Sequence, residues 1–441
     1  MRLQTLLFAA GLTLTSAQGF SQNIKFVEYD LKNGLHVILH EDHSTPITAV
    51  TVMYHVGSKN ETKGRSGMAH FFEHLLFEGS ENIGRGQYSK YVENAGGGLN
   101  ANTSQDRTFY YELLPSNQLE LGLWLEAERM LHAKVEIVGI ETQREVVKEE
   151  KRQRIDNQPY GNLFSEALDH AFDVHPYSWA PIGSMEDLNA AQEQDFVEFY
   201  KTFYVPNNAV LSIAGDINIE ETKKLIDKYF STIPKGTKAI PRPTQVEPLN
   251  KGEVRDTIWG KDQLPLILQA YHIPAQGTSE FYAVDMLNQV LAQGQSSRLN
   301  KALVDEKQLA LFSSAMTYNT EDPGLTLAFG LANMGIDPKQ VEDAMDVEIE
   351  KLKTDLISER EFEKLRNQIE NDFVSRNSSV AGIAESLANY YMYLGDTNLI
   401  NNEISRYNAV TREDIRNAAK KYYTKDNRVA LYFMNDPSLT K

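Results

Sequence analysis

The chain has 441 residues, more than one ordinary domain needs, and its 41% apolar and 10% aromatic content is enough for a substantial core. Lys and Arg number 44 against 61 Asp and Glu, a net charge of −17 that argues against nucleic acid or an anionic membrane as the main partner. The absence of cysteine excludes disulfides, thiol catalysis and lipoprotein attachment.

The first predicted element is a secretory signal peptide over residues 1–22: Arg2, an apolar run from Leu6 to Leu14, then small residues around Ser16 and Ala17. The run is too short to span a bilayer and no other segment is long and apolar enough, so no membrane span is expected. An exported, disulfide-free chain of this size suits the periplasm of a Gram-negative bacterium. Val27 to Leu39 reads as two strands around an Asn33-Gly34 turn, and Ile47 to Val56 as a third. The stretch GMAHFFEHLLFEG then reads as a helix bracketed by Gly67 and Gly79. Helical spacing returns over Glu120 to Leu131 and Glu141 to Arg154, and Asn208 to Asp216 reads as a buried strand. Helices and strands mix without strict alternation, which predicts an α+β fold.

A weak internal repeat organises the chain. The segment Leu188 to Asp216 matches Tyr407 to Asn435 at a constant offset of 219, the distance from Leu188 to Tyr407, with Asp195/Asp414, Tyr204/Tyr423 and Asn208/Asn427 among the identities. Ile233 to Pro248 is rich in Pro, Gly and charge, as a linker should be. We therefore expect two similar domains, 23–232 and 250–436, joined by a linker at 233–249.

His70 and His74 stand four apart, so on a helix both imidazoles share one face, with Glu73 beside them. Imidazole suits Zn²⁺, and a catalytic zinc takes three protein ligands. The order H-x-x-E-H is the inverzincin signature, in which the Glu is not a ligand but the base that activates a water at the metal. The third ligand is expected in the helix Glu141 to Arg154, where spacing alone leaves Glu149 and Glu150 open.

Taken in order, His70-x-x-Glu73-His74, the stretch Gly97 to Thr103 (GGLNANT) and Arg144 to Glu150 (REVVKEE) resemble the pitrilysin-type inverzincin metallopeptidases. The length resembles their short two-domain branch, similar to mitochondrial processing peptidase. The resemblance implies one Zn²⁺ per chain on His70, His74 and Glu150, with Glu73 catalytic. It also implies two homologous domains, each a mixed or antiparallel sheet with helices on one side, forming half of a clam-like chamber for peptides. The GGLNANT stretch would be an edge strand that pairs with substrate backbone through Asn100 and Ala101.

Two departures qualify the resemblance. Where the family carries a supporting Glu seven residues before the metal-binding Glu, this chain has Gln143, which can hydrogen-bond but brings no charge. Where self-sufficient members carry an Arg and, seven on, a Tyr that hold the substrate carbonyl, this chain has Val304 and Leu311, neither of which can donate. The expected partner is therefore a homologous zinc-free subunit that supplies the Arg/Tyr pair in a heterodimer, with a homodimer as the alternative. A non-catalytic peptide-binding or scaffold subunit of the same fold is the rival function.

Overall fold

Strands first position everything else. The computed structural model describes residues 23–248 and 252–438, and the expected signal peptide lies outside the described residues. The first half contributes β1 (Val27–Asp30), β2 (His36–Glu41), β3 (Ile47–Tyr54), β4 (Gly98–Thr103), β5 (Thr108–Pro115) and β6 (Ala209–Gly215). They form one mixed sheet in the order β1-β2-β6-β3-β5-β4, with β2 and β6 parallel and the other neighbours antiparallel. The second half contributes β7 (Val254–Gly260), β8 (Leu266–His272), β9 (Ala310–Tyr318), β10 (Leu325–Ala332) and β11 (Arg428–Asn435). Their order, β7-β11-β8-β10-β9, repeats that of β2-β6-β3-β5-β4, including the single parallel pair. The α+β expectation with two related domains is met.

The repeat has a physical basis. Helices Glu193–Phe203 and Arg412–Tyr422 lie 219 apart and lead into β6 and β11. The matched Asp195 and Asp414 are the third-turn-residue acids of two capping boxes, each closing its helix N-terminus. The matched asparagines do the same task twice: Asn208 Nδ2 donates to Phe203 O (2.8 Å) and His55 O (3.3 Å), and Asn427 Nδ2 to Tyr422 O (2.7 Å) and His272 O (2.9 Å). Each amide ties a helix end to the neighbouring strand, so neither can change without leaving helix carbonyls unpaired.

One face of each sheet is covered by helices of its own half: Phe71, Phe72, Leu123, Phe196 and Ile226 on the first, Val284, Leu287, Met345 and Ile415 on the second. The opposite faces are covered by exchange. Helix Val380–Leu394 packs Ile383, Ala384, Leu387 and Ala388 onto Ile38, Ala49, Met53 and Val210 of the first sheet. Helix Leu163–Ala171 packs Ala167, Leu168 and Ala171 onto Leu268, Leu327 and Leu431 of the second.

A buried ionic cluster joins the halves beside this exchange. Lys59 Nζ lies 2.8 Å from Asp106 Oδ1, 2.6 Å from Glu321 Oε2 and 3.1 Å from Asp322 Oδ2. His55 Nε2 meets Glu321 at 2.7 Å, and Tyr177 donates its hydroxyl to Asp106 at 2.6 Å. Burial opposes ionisation of Glu321, but His55 and Lys59 outweigh it and hold the carboxyl down at about 2. Asp322 is held at about 2 by the hydrogen bond from His175, with Lys59 adding to it. Both carboxyls sit below their ordinary values, so their contribution is complete above about pH 4 and is lost as pH falls towards about 2. We expect the urea midpoint of the purified chain to drop across that window and Glu321→Gln to flatten the drop. An unchanged slope in Glu321→Gln would rule out this cluster as the acid-sensitive element.

Candidate metal centre

The site is built on the helix Met68–Leu75, which begins at Gly67 in a left-handed conformation (φ 90°). A Cβ at Gly67 would also stand 2.9 Å from Ile182 O, so both backbone and space demand glycine there. The helix start is capped by Glu61, whose carboxylate accepts from Gly67 N (2.9 Å), Ala69 N (2.8 Å) and Trp179 Nε1 (2.9 Å). Phe71, Phe72 and Leu75 anchor one face in the core, and this fixes the direction of the other. Phe72 O accepts from the buried Tyr110 hydroxyl at 2.8 Å, a further tie to the sheet.

That other face brings His70 and His74 to Glu150 of the helix Ile137–Lys151. Glu150 Oε2 lies 3.0 Å from His74 Nε2 and 3.6 Å from His70 Nε2. Ligand atoms at about 2.0–2.2 Å from a tetrahedral zinc stand roughly 3.4 Å apart, so these separations fit one ion. One donor atom from each residue lies within 4.8 Å of the others, and no other such group of His and carboxylate side chains occurs among the described residues. Burial, with His74 adjacent, pushes the His70 imidazole down to about 4, which leaves it neutral with a lone pair to offer. The hydrogen bond from His74 holds the Glu150 carboxyl below its ordinary value. Glu149, which spacing left open, points outward to Arg152 (3.1 Å) and Gln153 (2.9 Å).

Glu73 sits beside the three donors without joining them, and its Oε2 accepts from Thr103 Oγ1 at 2.7 Å. Burial pushes its carboxyl up while the Thr103 hydrogen bond pulls against it. Thr103 ends β4, the edge strand of the first sheet, so the carboxylate is fixed relative to that strand. Ala101, 8% exposed, turns its methyl into the core, while Asn100 faces out and its Oδ1 accepts from the Ala101 N–H (2.9 Å). That N–H belongs to the open edge of β4.

Gln143 donates to Glu78 Oε1 (2.6 Å), and Glu78 also accepts from Arg85 (2.6 Å), so the side chain braces the end of the metal-site helix. Val304 lies half-buried in the π-helical segment Asn300–Glu306, and Leu311 is 52% exposed on the edge strand β9. Neither is brought to the three donors. Sequence reasoning missed Thr103, Glu61 and Arg154. Arg154 Nη1 lies 2.6 Å from Glu150 Oε1, the carboxylate oxygen that the histidines do not face. Its i, i+4 spacing from Glu150 was a signal that could have found it; nothing local marks the other two.

Both halves of the chain resemble known proteins. Residues 36–178 match the model "Insulinase (Peptidase family M16)", and residues 190–369 match "Peptidase M16 inactive domain". The chain is 34% identical over 364 residues to the zinc protease PqqE of Helicobacter pylori, covering 82% of each chain. It is 25% identical to the probable mitochondrial-processing peptidase subunit beta of Schizosaccharomyces pombe, over 91% of this chain and 89% of that one. A crystal structure of a protease from Helicobacter pylori superposes with TM-score 0.89 at 30% identity, covering 93% of this chain and 99% of the other. The periplasmic protease PqqL of Escherichia coli shares the fold alone, with TM-score 0.76 and 18% identity, and this chain covers 48% of it. With matching models along both halves and a relative above 30% identity, the chain belongs to the insulinase, or M16, family of peptidases.

Proposed function

We propose that the chain is a zinc-dependent endopeptidase or oligopeptidase acting on peptides or unfolded segments. His70, His74 and Glu150 would hold one Zn²⁺. The observation that carries this reading is the half-buried Glu73 carboxylate, tied through Thr103 to an open strand edge and placed beside three converging donors. When bound, the ion supplies Lewis acidity to the scissile carbonyl and acidifies a water to a pKa of about 7. Glu73 takes the proton of the attacking water and returns it to the leaving nitrogen. Thr103 donates to Oε2 and leaves Oε1 as the accepting oxygen. The substrate backbone lies along β4, displacing the Asn100 amide from the Ala101 N–H.

The chain would form half of a clam-like chamber, and a homologous zinc-free subunit would supply the Arg/Tyr pair that Val304 and Leu311 cannot, with a second copy of this chain as the alternative. No helix of the described residues is long and apolar enough to cross a membrane, and we place the exported chain in the periplasm. Losing a carbonyl-holding donor lowers rate by roughly 10²–10³, so the chain purified alone is expected to cleave a quenched peptide that much more slowly than with its companion. Full activity alone, unchanged by a companion, would remove the partner from the proposal. A non-catalytic peptide-binding subunit remains the second reading, favoured by the same two positions.

A further inference from the structure

Beyond the strand edge, the cavities hold a guanidinium that makes no hydrogen bond or ion pair with the described residues. A cleft of about 450 Å³ begins at Ser104, the residue after β4, and runs between the two halves to Gln276, Arg376 and Asn389. A second cleft of about 270 Å³ shares Asn319, Phe373, Arg376 and Tyr390 with it and continues to Asp285 and Glu403. Arg376, at the end of the helix Glu359–Arg376, stands at the junction and is exposed. Its side chain has no hydrogen-bond or ion-pair partner among the described residues.

The charges around it are otherwise engaged. Arg107 is bonded to Asn102 (2.7 Å) and ion-paired with Glu385. Asp285 accepts from the Tyr407 hydroxyl (2.9 Å) and Gln289 Nε2 (2.8 Å), and Glu403 from the Tyr282 hydroxyl (3.0 Å). Burial pushes both of these carboxyls up, and the Arg376 guanidinium pulls weakly against it without bonding either one. Asp372, one turn earlier on the same helix, lines the second cleft without pairing with Arg376. In the first cleft, Gln276 Nε2 is a buried donor with no partner. A free guanidinium and a free amide donor lining one cleft are groups suited to binding a carboxylate.

We propose that this cleft is a substrate subsite that recognises a carboxylate on the bound peptide, through Arg376 with Gln276 in support. The inference rests on the reading of β4 as the peptide-binding edge. At about 3.3 Å per residue, a strand lying on β4 reaches the cleft within a few residues of Thr103. The carboxylate could be an Asp or Glu side chain or the C-terminus of a short peptide, since the chemistry is shared.

The test takes the zinc-loaded mature chain and a quenched parent peptide, with Asp/Asn pairs scanned along it and the C-terminus supplied as acid or amide. We expect one acid-to-amide change to lower kcat/KM by about ten- to a hundredfold, the range for a hydrogen bond to a charged group. Arg376→Gln should reduce that preference to within about twofold, and Arg376→Lys should keep part of it. An effect in the scan identifies a side chain, and an effect at the terminus identifies the chain end. No preference anywhere, or a preference that survives Arg376→Gln, overturns the subsite. If nothing is cleaved, the same peptide pairs are compared by fluorescence anisotropy on Glu73→Gln. An Arg376-dependent preference there upholds the subsite while the peptidase reading fails. Binding without preference overturns the subsite, and no binding of any peptide overturns both.

Discussion

Glu73→Gln is expected to lower peptide cleavage by about 10²–10⁴-fold, the usual contribution of a positioned general base, while one zinc per chain stays bound. The substitution removes the proton-accepting charge but keeps an oxygen that can accept from Thr103 Oγ1, as Oε2 does at 2.7 Å. None of the three side chains proposed to hold the metal changes, so metal content by atomic absorption should match the parent chain. Loss of zinc together with loss of activity would make Glu73 a ligand and refute its role as a base. Retained activity would refute the mechanism. Persistent absence of cleavage by the parent chain, with any peptide or companion, would favour the scaffold reading.

The second large effect concerns stability. Lys59→Met should cost about 3–5 kcal/mol, as removal of one partner from a buried ion pair commonly does. The lysine is buried against Asp106, itself 2% exposed, and Asp106 Oδ2 also accepts from Glu321 N at 3.0 Å. Without the ammonium, this carboxyl loses its cation between the halves. Urea titration followed by tryptophan fluorescence would read the loss, and Lys59→Met combined with Glu321→Gln should cost less than the sum of the two. A loss below about 1 kcal/mol would class the cluster with exposed pairs of small effect.

The sequence made the local features legible and left the distant ones hidden. Apolar periodicity and Gly67 located the metal-site helix to within a few residues, and the i, i+4 histidines followed from its geometry. Spacing could not separate Glu149 from Glu150, because adjacent helical residues differ only in which way the helix faces. Packing of Val147 and Ile140 into the core turns Glu150 inward and Glu149 outward. The offset of 219 was visible because Asp195/Asp414 and Asn208/Asn427 perform the same backbone-capping tasks. Glu61 with Trp179, and Lys59 with Glu321, are separated by over a hundred residues in sequence, and no periodicity links them. The exchanged helices were equally invisible: Val380–Leu394 is simply an apolar helix until the first sheet is seen beneath it.

That exchange has a consequence for timing. The first sheet is complete in its strands by Gly215, yet one of its faces stays bare until residues as late as Ala388 are available. A chain emerging from its N-terminus therefore carries a large sticky surface through most of its synthesis and cannot lock into its final form early. Under the export proposed above, this delay is useful, since premature closure would jam passage through a membrane. The same interleaving makes the 233–248 segment dispensable as a tether. A nick there should leave two fragments that travel together, each holding the other's sheet closed.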